Sequence, residues 1–235
     1  MPQPAITYMS GWGRVHTGAM IMFVIEGGDS PVVVDTGTLD PEWTRKHHGY
    51  KLERAPEEEA ERALRRAGID PGDVGTVINT HLHWDHCSNN SMFGNATFYI
   101  QSREVTYAAS PLPIHRAAFE KKRGIQPPWL AVWDRIETVD GDCEIAPGLS
   151  VVSLPGHTPG SQGVLVDTGS ARYLLAGDCI DTYENWEGND STPHIPSGSH
   201  TDLFEYYRSF EKIERLGCEV IPSHDLAVVE RGEFS

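Results

Sequence analysis

Four side chains able to bind a metal crowd into the run Thr80-His81-Leu82-His83-Trp84-Asp85-His86. The run directly follows Val74–Ile78, a β-branched stretch that reads as a strand. In an extended chain, residues two apart face the same side, so His81 and His83 can grip one ion together. Asp85 and His86 come after the chain turns, and they can face a different ion close by. Imidazole and carboxylate are both suited to zinc. A lone histidine on a strand is usually an ordinary polar residue; four potential ligands in six residues are hard to explain that way.

Three further candidates occupy similar places, each just past an apolar run. His157 lies in Pro155-Gly156-His157-Thr158-Pro159-Gly160, Asp178 in Leu175-Ala176-Gly177-Asp178, and His224 in Ile221-Pro222-Ser223-His224-Asp225. The adjacent glycine or proline lets the backbone turn sharply toward a site. Singly, each could be structural. With the first cluster they make seven ligands, enough for two metals that share a bridging carboxylate. Such a pair lowers the pKa of bound water toward ~7 and, at a spacing of about 3.5–4 Å, clamps both the attacking and the leaving oxygen. That chemistry suits attack by metal-bound hydroxide on an ester, lactone, thioester or amide carbonyl. No GxSxG elbow is present, and none is needed. Cys87 and Cys179 each follow a ligand candidate and read as small buried residues rather than nucleophiles.

These residues need strands to carry them. Short apolar runs bounded by Gly, Pro and Asp recur at Met20–Ile25, Val32–Val34, Val74–Ile78, Ala96–Ile100, Leu149–Leu154, Val164–Val166, Tyr173–Leu175 and Val220–Ile221. Helical spacing marks Pro56–Ala67, stopped by Gly68, and Asp202–Leu216, stopped by Gly217, with Thr201 as the expected N-cap. A layered α/β protein follows. Thr38–Arg54, Ser110–Val132 and Thr182–His200 fit neither period and are expected to be lids or binding loops. Trp43, Trp129, Trp133 and Trp186 lie in or beside them and are candidates to line an apolar pocket.

HLHWDH, PGHTPG, the GD of Gly177-Asp178 and the late SHD resemble the dinuclear metallo-β-lactamase superfamily, over a span from about Val24 to Asp225. The resemblance implies an αββα sandwich, two central mixed sheets flanked by helices. It implies two metal ions, zinc first, with iron, manganese or cobalt as substitutes. His81, His83 and His157 would hold one metal and Asp85, His86 and His224 the other, with Asp178 bridging. Val32–Gly37 resembles the early family strand whose aspartate supports the site, which makes Asp35 the candidate. Within the superfamily the chain is most similar to the N-acyl homoserine lactone lactonases, enzymes of quorum quenching, through PGHTPGSQG and GDCIDTYENWEG. It departs from them at one place. They carry a tyrosine three residues past the bridging aspartate; here Asp181 stands there, and the nearest tyrosine is Tyr183. Both are candidate catalytic groups beside Asp85 and Asp178: Tyr183, the favoured one, as a hydroxyl donor to the oxyanion, and Asp181 as a general acid.

Length and composition agree with this reading. A chain of 235 residues suits a single domain, residues 1–235. Its net charge of −15 and lack of a Lys/Arg cluster for duplex binding argue against nucleic acid. No stretch is long and apolar enough for a membrane span, and no secretory signal is evident, so a cytoplasmic monomer or homodimer acting on a small ester or lactone is expected. Four scattered cysteines give neither a disulfide framework nor a zinc ribbon. The alternatives are a thioesterase of glyoxalase type, a β-lactam hydrolase, a diiron redox protein and a non-catalytic binding module. The first would carry a longer region after His224, the second would more often be secreted, the third would show a carboxylate at His83, and the last would have lost ligands.

Overall fold

The computed structural model describes residues 1–235. The chain contains β1 (Phe23–Ile25), β2 (Val32–Val34), α1 (Pro41–His48), α2 (Ala60–Arg66), β3 (Thr76–Ile78), α3 (Trp84–Cys87), β4 (Thr97–Gln101), α4 (Ser102–Ala109), β5 (Ile136–Val139), β6 (Cys143–Ala146), β7 (Leu149–Ser153), β8 (Gln162–Asp167), β9 (Arg172–Leu175), α5 (Tyr183–Glu187), α6 (Leu203–Leu216), β10 (Glu219–Ile221) and α7 (Leu226–Arg231). The strands form two five-stranded sheets, ordered β1-β2-β3-β4-β5 and β10-β9-β8-β7-β6. Both are mixed. β1 pairs antiparallel with β2, whereas β2, β3 and β4 run parallel. In the second sheet β9 and β10 run parallel and the remaining pairs are antiparallel. Two mixed sheets with flanking helices are the expected αββα fold.

By contacts the chain divides into two compact units. One comprises residues 20–100 and 105–138, and the other comprises 1–19, 101–104 and 139–235. The first has a core of Val33, Val77, Phe93, Phe98, Ile100 and Phe119 among others. Its central parallel strands are apolar on both faces, as strands covered from two sides must be. The second is centred on Leu154, Leu174, Ile180, Tyr206, Phe210 and Ile213. There α6 turns its Tyr206, Phe210 and Ile213 stripe inward at helical spacing.

Several expectations change in detail. The helix expected over 56–67 is broken: a 3-10 turn at Pro56–Glu58 comes first, and Glu59, with ψ 137°, separates it from α2. Asp202, not Thr201, caps α6, accepting from Phe204 N at 2.8 Å and Glu205 N at 3.0 Å. The Thr201 hydroxyl donates instead to Gly156 O, 3.0 Å away, in the turn that carries His157. The three irregular segments contain structure after all. α1 lies in 38–54, α5 in 182–200, and a 3-10 stretch at Pro128–Arg135 begins in 110–132. α1 lacks an apolar stripe, which hid it, but Asp40 caps it and Gly49, at φ 78°, ends it. β5 and β6, half-exposed and rich in Glu and Thr, also escape a hydrophobic scan.

Candidate metal centre

In the first unit the site is built around Asp35. The residue follows β2 at φ 57°, a left-handed conformation that costs a non-glycine residue about 1–3 kcal/mol. Its backbone N–H donates to Ile78 O at 3.0 Å, which holds it against the end of β3. The carboxylate is then saturated. Oδ1 accepts from Thr80 N, and Oδ2 accepts from the Thr80 hydroxyl and from His86 Nδ1, each at 2.7 Å. Because the Thr80 hydroxyl gives its proton to Asp35, its oxygen accepts from His81 Nδ1 at 3.1 Å. One carboxylate therefore orients two imidazoles, one directly and one through a hydroxyl.

The ligand run folds as the spacing requires. His81, Leu82 and His83 leave β3 extended, and α3 makes a single turn that carries Asp85 and His86. The His81 ring centroid lies 4.5 Å from that of His83 and 4.1 Å from that of His86. A carboxylate oxygen of Asp85 and a ring nitrogen of His86 lie within 4.8 Å of each other. His83 packs edge-on against Phe119 at 4.7 Å. Trp84 is fixed by a hydrogen bond from its N–H to Ala118 O, and its ring stacks on His48 at 3.9 Å and 13°. His48 Nε2 and Trp43 Nε1 both reach the buried Glu120 carboxylate, at 3.1 and 2.8 Å. Burial pulls the Glu120 carboxyl up, but these two partners outweigh it and hold the group below the ordinary glutamate range.

In the second unit His157, Asp178 and His224 come together. His157 sits in a turn whose Gly156 adopts φ 143°; a Cβ there would fall 2.6 Å from Tyr206 Cα, so no other residue fits. The turn is held from below by the buried Glu104, which accepts from the Thr158 hydroxyl at 2.6 Å and from Gly160 N at 3.2 Å. Asp178 follows β9 in a 3-10 turn, and Ser223 Oγ donates to its Oδ1 at 2.8 Å. His157 Nδ1 donates to Ser199 O at 2.6 Å, and His224 Nδ1 donates to Ala19 O at 2.7 Å.

These anchors decide which nitrogen can bind a metal. A carbonyl only accepts, so in His157 and His224 the proton is on Nδ1 and the neutral ring carries its lone pair on Nε2. Nε2 of His157 lies 3.4 Å from Asp178 Oδ2, and Nε2 of His224 lies 3.1 Å from Asp178 Oδ1. Each Nε2 faces the carboxylate either as an N–H donor, in the imidazolium, or as a lone pair that shares a cation with it. The same logic gives His81 and His86 their lone pairs on Nε2. The donor set of each unit thus fits a divalent cation in type, protonation and second-layer support.

A family model described as the metallo-beta-lactamase superfamily matches residues 22–224. The chain belongs to that superfamily. An N-acyl homoserine lactonase of Bacillus sp is 31% identical over 219 residues, covering 89% of this chain and 82% of the relative. N-acyl homoserine lactonase AiiA of Bacillus thuringiensis subsp. kurstaki is 28% identical over 213 residues, covering 87% and 80%. Among solved structures, an N-acyl homoserine lactone hydrolase with the product N-hexanoyl-L-homoserine bound at its catalytic metal center superposes with a TM-score of 0.80 at 21% identity, over 99% of this chain and 92% of that one. AidC, a dizinc quorum-quenching lactonase, superposes with a TM-score of 0.64 at 19% identity, covering 86% and 71%.

Just past Asp178 the loop carries Asp181 and then Tyr183. Asp181 is buried, and its carbonyl accepts from His224 N at 2.8 Å. Tyr183 opens α5, its N–H donating to Asp225 Oδ2 at 3.0 Å. Burial, then Glu219 at the start of β10, pushes its phenol up, and Arg231 on α7 opposes them. Asp225, next to His224, adds to the upward push. Of the four tryptophans, Trp129 joins the first unit's core, Trp133 is 68% exposed, Trp186 stacks on His194 at 4.2 Å, and Trp43 serves Glu120. The aromatic group beside the ligand run is a different one: His48, Trp84 and Tyr50, the last nearly parallel to Trp84 at 6.2 Å. Tyr50 and His48 carried no motif; only their place beside Trp84 reveals them. Cys87 and Cys179 are buried, and burial, then Asp181 and Asp178, drives the Cys179 thiol strongly up, as inert cysteines require.

Proposed function

We propose that the chain is a dinuclear metal-dependent hydrolase that opens a lactone, with N-acyl homoserine lactones as the substrate class. The observation that carries this reading is the Asp178 carboxylate flanked by Nε2 of His157 and Nε2 of His224. The names of the relatives support the choice of substrate. In this reading the two units act as one domain. His81, His83 and His157 would hold one metal and Asp85, His86 and His224 the other, with Asp178 shared between them. Zinc is the metal proposed, because nitrogen-rich sites with a few carboxylates favour it.

When bound, the metals supply a hydroxide nucleophile at neutral pH and polarise the lactone carbonyl. The protein does the rest. Asp35 and Thr80 keep His81 and His86 in one tautomer and one orientation. Asp85 would serve as a ligand through one carboxylate oxygen, and its other oxygen would hold the proton lost by the attacking water and return it to the alcohol oxygen released as the ring opens. Asp181 would accept a hydrogen bond from the substrate's amide N–H through its carboxyl oxygen. Tyr183 braces the loop between Asp178 and α5 through Asp225. Tyr50, the exposed member of the His48, Trp84 and Tyr50 stack beside the ligand run, is assigned to meet the acyl chain. The enzyme is proposed to work in the cytoplasm as a monomer or homodimer; no helix is long and apolar enough to cross a membrane. The experiment is a hydrolysis screen over acyl homoserine lactones, simple esters, thioesters and β-lactams. Lactone turnover well above the others supports the reading, and a preference for β-lactams or thioesters overturns it.

A further inference from the structure

The segment from Ser110 to Gly124 has the wrong charge for this protein. It carries Arg116, Lys121, Lys122 and Arg123 against a single acid, Glu120, in a chain of net charge −15. Glu120 is already engaged by His48 and Trp43, and Lys122 donates to His47 O. Arg116 and Lys121 take part in no ion pair, although acids outnumber bases in the chain 34 to 19. Instead they line one cavity of about 200 Å³ with Ser110 and Pro111.

The backbone holds that arrangement in place. Lys121 N donates to Arg116 O at 2.8 Å, Ala118 N to His115 O at 3.0 Å, and Lys122 N to Glu120 O at 2.8 Å. Glu120, at φ 50°, supplies the reversal that brings Lys121 back beside Arg116. Ser110 is set by its N–H to Tyr107 O at 3.0 Å. Arg116 and Lys121 are both exposed and both line this cavity, so it carries a local positive charge that a small anion would meet. A planar guanidinium, an ammonium and a hydroxyl are together the donor set for a small oxyanion.

We propose that Ser110, Arg116 and Lys121 form an anion site for a tetrahedral oxyanion, either inorganic phosphate or sulfate or the phosphate group of a larger molecule. The site lies on the segment that also supports the ligand run, since Ala118 O accepts from Trp84 N and Phe119 packs against His83. Its occupant steadies that segment.

The test follows thermal unfolding of the metal-loaded protein in sulfate, in phosphate and in chloride at matched ionic strength. Sulfate and phosphate at ~10 mM are expected to raise the midpoint by about 2–4 °C over chloride, saturably. The double variant R116Q/K121Q should lose the rise. K122Q/R123Q, with the same change in net charge on the same segment, should keep it. D178N should keep the sulfate response as well, which separates this site from anions taken up by the metals. If the rise is absent, does not saturate, survives in R116Q/K121Q or disappears in D178N, the proposal is wrong. A nucleoside monophosphate arm distinguishes the sources: a rise at lower concentration than inorganic phosphate points to a phosphorylated metabolite, and an equal or smaller one to the free ion.

Discussion

Asp35 Oδ2 lies 2.7 Å from His86 Nδ1, and the same oxygen takes the Thr80 hydroxyl that His81 leans on. The aspartate is not itself a ligand candidate, yet it sets the tautomer of two imidazoles that are. Replacing Asp35 with Asn should lower metal affinity by about 10–100-fold, as loss of such a partner commonly does. Competition against a chromophoric chelator measures this, and circular dichroism checks that the fold persists. Wild-type affinity in a folded variant would show that the backbone alone positions His81 and His86.

Asp178 is assigned to both metals because its oxygens face different histidines. Asp178→Asn removes the shared negative charge that offsets the repulsion of two dications. Metal content should fall from about two per chain toward one, with a sharp loss of turnover. Elemental analysis of the dialysed variant reads it directly, and unchanged content with unchanged turnover counts against a bridging role.

The residue three past Asp178 separates two readings of the loop. The proposed function assigns Asp181, buried with its carbonyl accepting from His224 N, to the substrate, and assigns Tyr183 to bracing the loop through Asp225. Asp181→Asn should cost on the order of tenfold to a thousandfold in kcat/KM on an acyl homoserine lactone, the range of a lost directional contact at a reacting centre. Tyr183→Phe should stay near wild type. The opposite pattern, with metals intact in both, would return the role to the phenol.

Much of this was legible in the sequence because metal ligands obey strict local rules. The spacing of His81, His83, Asp85 and His86 follows from an extended chain entering one helical turn, and the structure contains both. The β-branched strands that end at Ile78, Leu175 and Ile221 were equally plain, as apolar runs cut off by turn residues. Long-range hydrogen bonding was not legible. Nothing local ties Ser199 O to His157 or Ala19 O to His224, since backbone carbonyls have no sequence signature. Glu104 could not be placed beneath Gly160 from spacing, and α1 could not be seen because its faces are polar. Thr201 was mistaken for a cap because its partner, Gly156 O, is 45 residues away.

Gly156 tests the rigidity of the His157 turn. Gly156→Ala combines φ 143° with a Cβ 2.6 Å from the α6 backbone at Tyr206. A destabilisation of about 1–3 kcal/mol follows from overpacking and backbone strain. Denaturant unfolding measures it; a variant as stable as the parent would mean the turn is looser than its contacts imply.

The central claim is that these seven side chains hold two metals and that hydrolysis depends on them. The most direct measurement is metal stoichiometry on the purified protein, paired with lactone hydrolysis before and after stripping by a strong chelator and after adding zinc back. About two metals per chain, loss of turnover on stripping and recovery with zinc are expected. Full activity in protein shown to be metal-free would contradict the account.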